Sequence, residues 1–204
     1  MLRWPALLLL AILLPLEPPQ PLPDGPAYTP GGQLKFPSGY PEWVFLGTGI
    51  DMSYTASATA PADSVFNSVF VNPSAYHAFK QTGHWPEGTV MVLENRGAAS
   101  DASINKRGKT ESSEIVGVEV HLRDSTHLKD GWGFYAFDDP PAGQTRAQTT
   151  GKLIDRPASC YTCHEAHGAV DTTFVQFYPA ALEIAKQKAT LSPNYLKELA
   201  PPAK

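Results

Sequence analysis

The sequence predicts an α+β domain, mainly antiparallel β-sheet with a few helices grouped at one side. Three observations predict it. Apolar residues recur with a period of two in five separate segments. Twenty prolines and 16 glycines among 204 residues disfavour a bundle of long helices. Two stretches carry the start and stop signals of a helix.

The elements follow in chain order. In residues 1–19, Arg3 precedes an apolar run of about a dozen residues. A membrane-spanning helix needs roughly 20, so the run fits a secretory signal. No clean small-x-small cleavage site follows it, which leaves an N-terminal anchor as the alternative. Either puts the body outside the cytoplasm. Residues 20–33, rich in Pro and Gly, read as an irregular lead-in. A domain is expected over 34–190 and a tail over 191–204, with Pro201–Lys204 fraying.

Glu42–Gly47 reads as a short aromatic strand. Val65–Val71 sets Phe66, Ser68 and Phe70 on one face and the valines and Asn67 on the other. Asn72, an N-cap residue, then Pro73, begins a helix that Gly83 closes. Thr89–Glu94 alternates Val90 and Val92 against Met91 and Leu93. Residues 96–113 lack an apolar period and read as a loop. Glu114–Arg123 is the clearest strand: Val116, Val118, Val120 and Leu122 form one face, and Ile115, Gly117, Glu119 and His121 the other. Trp132–Phe137 is a fifth strand, followed by a long connection over 138–158. A second helix covers roughly Thr172–Ala189, broken or kinked by Pro179.

Composition narrows the function. The length suits about one domain. A net charge of −4 argues against nucleic acid, whose phosphates need a basic face. With 42% apolar and 18% charged residues the chain can bury a core. Its two cysteines stand three positions apart, so no disulfide framework exists.

Those cysteines carry the chemistry. Cys160-Tyr161-Thr162-Cys163-His164 is a C-x-x-C-H, the attachment pattern of c-type haem. Each thiol adds across one haem vinyl group, and the two-residue gap matches the vinyl separation. The histidine then reaches the iron through a ring nitrogen. A redox dithiol wants its C-x-x-C at a helix start within a βαβ unit, and the sequence shows none. A zinc site wants more thiol or imidazole ligands; His167 is near, but no second cysteine pair exists. A disulfide across so short a loop is a poor staple. One motif implies one covalent haem c. The sixth iron position falls to His77, His84, His121, His127, His167 or a methionine, or stays open. Met91 lies in an apolar strand and suits the core better than the iron, so five-coordinate haem is expected.

From Gly32 to Ala185 the chain resembles the cytochrome P-460 family and its relative cytochrome c′-beta. The likeness rests on GQLKFPSGYPEWVFLGTG, VFVNPSAYHAFKQTGHWPEGTVMVLE, EIVGVEVHLRDS, GWGFYAF and CYTCHEAHGAVDTTFVQFYP. C-x-x-C-H alone is common to many cytochromes. Its late position, with F-x-x-F-Y-P over Phe174–Pro179 ten residues on, is more specific. The resemblance implies a β-rich periplasmic haem protein, a homodimer. P-460 members oxidise hydroxylamine at a haem cross-linked to a lysine; the matching position here is Leu93, which has no amine. The c′-beta relatives lack the cross-link and bind small gases, notably nitric oxide, in an apolar distal pocket. Glu119 matches a glutamate of the catalytic members and is a candidate general base. Phe66, Phe70, Met91 and Leu93 are the candidate distal walls.

Three functions are therefore set against one another. The leading expectation is a periplasmic mono-haem cytochrome that binds nitric oxide or a related nitrogen ligand and exchanges electrons with a redox partner protein. Cys160, Cys163 and His164 hold its haem, and His164 ligates the iron. The alternative is a hydroxylamine oxidase of P-460 type, which Leu93 disfavours. The third is a plain electron carrier with a sixth ligand from Met91 or a histidine.

Overall fold

The computed structural model describes residues 23–55, 58–59 and 61–200. The expected export segment, residues 1–19, and the expected frayed end, Pro201–Lys204, lie outside the described residues. Among the described residues, no helix is long and apolar enough to cross a membrane.

Six strands form one antiparallel sheet in which sequence neighbours are spatial neighbours throughout. They are β1 (Val44–Ile50), β2 (Val65–Val71), β3 (Val90–Ala99), β4 (Thr110–Arg123), β5 (Trp132–Phe137) and β6 (Lys152–Leu153). The helices are α1 (Pro73–Thr82), α2 (Ser159–His167), α3 (Pro179–Lys188) and α4 (Pro193–Leu199). The fold is α+β, as the sequence predicts.

Both sheet faces are covered. On one, Val92, Val120, Leu122 and Tyr135 pack against Leu34, Phe36 and Tyr40 of the preceding segment. On the other, Val71 and Met91 pack against Phe79 of α1, Trp85, Val170, Val175, and Ala181 and Ala185 of α3. Phe79 and Trp85 are fully buried and stack at 4.0 Å. Burying such a side chain contributes about 1.5–3 kcal/mol.

Four expectations need correction. The loop expected over 96–113 is confined to 100–109, and both its flanks are strand: β3 runs to Ala99 and β4 starts at Thr110. Its polar residues hid the strand because neither side of this hairpin extension is deeply buried. Within it the β3–β4 register shifts around Arg96. A bulge turns the strand face over, so Ile115 packs on the core while Val116 is 48% exposed. Thus Val116 does not share the face of Val118, Val120 and Leu122. The two-residue strand β6 lies in the expected connection over 138–158. Pro179 does not break a helix; it begins α3, after a single 3-10 turn over Val175–Phe177, because proline lacks only an N–H that the first turn leaves unpaired.

Helix α1 keeps its expected boundaries, but its cap works differently. Asn72 turns its side-chain oxygen to the Val90 N–H (2.8 Å), tying α1 to β3. Asp24 accepts from the Ser74 N–H at 2.9 Å instead. Gly83 ends the helix at φ 77°, in the left-handed region. A Cβ there would stand 2.7 Å from Lys188 Cβ and 2.8 Å from Thr190. Gly83→Ala is therefore expected to cost about 2 kcal/mol, from the strained backbone and the collision together. A lower urea midpoint at unchanged slope is the check.

Candidate haem-binding site

Helix α2 carries the motif, and its middle residues place it. The Tyr161 hydroxyl donates to the Ile154 carbonyl (2.9 Å) and accepts from the Phe134 N–H (3.3 Å), so the helix is tied to β5. Arg156 lies over the Tyr161 ring at 4.1 Å and is paired to Asp130 (3.2 Å) and Glu165 (2.5 Å). Beyond the helix, α4 docks through Ser192, whose N–H meets the Ala169 carbonyl at 2.7 Å and whose hydroxyl meets Gly168 O at 2.7 Å. A Cβ on Gly168 would lie 2.6 Å from the His164 carbonyl oxygen, so only glycine lets the chain turn back this tightly.

Helical periodicity sorts the motif into two stripes. Cys160 and Cys163, three apart, share one, and both are half-buried free thiols. Tyr161 and Glu165, four apart, share the next. His164 stands between them. Its Nδ1 is 2.7 Å from the Thr172 carbonyl. A carbonyl only accepts, so Nδ1 carries the proton and Nε2 keeps its lone pair. Burial holds the imidazole below its usual range, an effect the Thr172 bond partly offsets. A neutral ring with a free Nε2 is the state in which histidine ligates a metal.

The surroundings of His164 are aromatic. Phe174 lies 4.0 Å from its ring centre, Phe134 4.8 Å and His121 4.9 Å. Tyr54 reaches Phe174 at 6.0 Å and Phe177 at 6.4 Å. Tyr54 and Phe177 remain 69% and 42% exposed. The residues therefore fit haem c: two thiols on one helix stripe, one imidazole ready to ligate, and exposed rings beside them to cover an apolar macrocycle. Among the described residues no cluster of three or more His, Cys, Asp or Glu offers a metal ion an alternative site.

His121 is the neighbour that the sequence left unassigned. It is 8% exposed, stacks on Phe134 at 4.1 Å, and its Nε2 has no partner. Burial pushes its pKa well below the ordinary range, and His164 adds to this, so the ring is neutral. It lines a cavity of about 300 Å³ with Trp132, Phe134, Tyr161, His164 and Thr172. An iron between two imidazoles would hold their centres about 6 Å apart, given metal–nitrogen bonds of about 2 Å. At 4.9 Å and 77° to His164, His121 sits beside that ligand, not across an iron from it.

The remaining candidates separate by sheet face. Leu93 pairs in register with Val69 and Glu119, and Glu119 with Ala136. This row lies two residues along the strands, about 7 Å, from the row of Met91, His121 and Phe134 on which His164 packs. Leu93 is half-buried and Glu119 exposed. Met91, 4% exposed, belongs to the core between sheet and helices. Phe66 and Phe70 are misplaced as distal walls. They share the opposite face, where Phe70 packs with Tyr40 at 5.5 Å and Phe45 at 5.7 Å. Period-two patterning pairs them with each other but does not say which face meets α2. His77, His84, His127 and His167 are exposed, each bonded to a glutamine or a carboxylate.

An antiparallel sheet carrying a C-x-x-C-H helix with an oriented histidine has the residue set of the c-type cytochrome class. Residues 37–175, about two thirds of the chain, match the family model Cytochrome P460, and the chain belongs to that family. Membership and the cysteine pair together point to haem c as cofactor. No curated protein matches the chain.

Proposed function

We propose that the protein is an exported mono-haem cytochrome that binds nitric oxide or a related small nitrogen ligand, with electron exchange as an accompanying role. A haem iron held by His164 supplies one open coordination position for such a ligand. The observation that carries this reading is a His164 imidazole oriented by Thr172, packed on the sheet one row from an apolar Leu93. Leu93 offers neither an amine for a cross-link nor a donor to a bound molecule. Such a wall favours nitric oxide and carbon monoxide over oxygen, whose bound form gains more from a hydrogen bond. Met91 is engaged in the core and His121 flanks His164, which supports five-coordination over a plain electron carrier. Export rests on the reading of residues 1–19, and a homodimer on the family likeness.

Hydroxylamine oxidation is the second reading. Glu119, exposed and paired in register with Leu93, is the carboxylate that the family likeness offers as base. Absorption spectra of the reduced, haem-loaded protein before and after nitric oxide separate the two. The expected result is an ordinary high-spin c-haem spectrum that shifts with nitric oxide. A strongly red-shifted ferrous Soret band signals a cross-linked macrocycle and moves the oxidase reading to the front.

A further inference from the structure

His164 depends on a turn that is unfavourable in itself. Val170 and Thr173 form an isolated antiparallel bridge, and the two residues between them both have positive φ: Asp171 at 47° and Thr172 at 60°. Turns with two left-handed central residues normally take Asn-Gly or Asp-Gly. A β-branched threonine at the second position is a true outlier. Such residues persist only where the surroundings over-determine them.

Here the surroundings do so from one side. The Asp171 carboxylate accepts from the Trp85 N–H at 2.8 Å and meets His84 Nδ1 at 3.0 Å, with Arg123 at 3.9 Å. The Trp85 indole N–H, itself buried, donates to Thr173 Oγ1 at 3.0 Å. The segment after α1 thus grips both ends of the turn. What the turn presents on its other side is the Thr172 carbonyl, the acceptor for His164 Nδ1.

We propose that Asp171 is a positioning residue for His164: anchored by Trp85 and His84, it holds Thr172 in the left-handed conformation that aims its carbonyl at the imidazole. The bond fixes the tautomer and the ring orientation and raises the basicity of Nε2. A more basic ligand favours the ferric state, so losing the bond raises the reduction potential. The inference rests on the haem reading above.

The test compares wild type, Asp171→Ala, Asp171→Asn and His84→Ala as haem-loaded protein. Covalent haem content is measured first, then the midpoint potential and the ferrous iron–histidine stretching band. Asp171→Ala is expected to broaden and lower that band and to raise the potential by roughly tenfold in the ferric/ferrous ratio, about 59 mV for one electron. Asp171→Asn keeps an acceptor for Trp85 and is expected to restore most of the wild-type values. His84→Ala, at an exposed position, is expected to give a smaller shift of the same sign, and it carries the test if Asp171→Ala does not fold. Folded, haem-loaded variants with unchanged band and potential overturn the positioning role and leave the haem reading intact. A wild type without covalent haem overturns both.

Discussion

Replacing both Cys160 and Cys163 by alanine is expected to abolish covalent haem. A haem stain on a denaturing gel then falls to background, while wild type keeps its band. Each single variant is expected to keep one thioether and one unreacted vinyl group, which gives a haem that stays on the gel with a shifted pyridine haemochrome spectrum. The graded outcome follows from the helix geometry: the thiols lie three apart on one stripe of α2, and each is a free, half-buried group. His164→Ala divides the chemistry differently. It leaves both thiols in place, so the stain is expected to persist. It removes the one neutral imidazole oriented by Thr172, so the iron loses its protein ligand and the reduced spectrum changes. Haem that survives denaturation in the double-alanine variant would show that the attachment chemistry has been misassigned.

What the sequence conveyed, and what it withheld, follows from which atoms do the work. Val65–Val71 and Trp132–Phe137 were legible to the residue because apolar side chains mark both strands along their whole length. The polar ends of β3 and β4 were not, since backbone pairing and polar side-chain bonds hold them and leave no apolar trace. The bulge at Arg96 likewise leaves no mark in composition, yet it exchanges Ile115 for Val116 on the core. In the site, Cys160, Cys163 and His164 announce themselves by spacing. Thr172 contributes a carbonyl oxygen, which every residue has, so no residue type reveals it. A weak signal did exist at Asp171-Thr172: a polar pair between Val170 and Thr173 suits a tight turn. Tyr161, which the C-x-x-C-H pattern leaves unspecified, is the residue that ties α2 to β5. Phe66 and Phe70 failed for a complementary reason. Alternation gives relative faces, and only the docking of α2 on the His121 row decides which face is the haem side.

Glu94→Ala is expected to cost about 3 kcal/mol, although it lies outside the haem site. Glu94 is 4% exposed on the face opposite His164. It accepts from Arg96 Nε at 2.7 Å and from the Tyr40 hydroxyl. Removing the carboxylate leaves a mostly buried guanidinium with two 3.3 Å contacts to the Ser112 and Ser113 carbonyls and a more distant Glu111 carboxylate at 3.9 Å, and orphans a buried phenol. Each loss leaves a desolvated donor without an acceptor. The pH dependence is a second, independent signature. Burial alone would raise the Glu94 carboxyl, but hydrogen bonds from Arg96 and Tyr40, reinforced by the Arg96 charge, hold it below the ordinary carboxylate value of 4.5. The folded state thus holds its proton less tightly than the unfolded chain. The stabilisation is fully present above the unfolded pKa and disappears as pH falls through the folded one. Urea unfolding at pH 7 and near pH 3 reads both effects. The gap between wild type and Glu94→Ala should be wide at neutral pH and narrow in acid, because protonation weakens in the wild type the same bonds that the mutation deletes. A gap of constant width would mean that Glu94 acts through packing and that its charge contributes nothing.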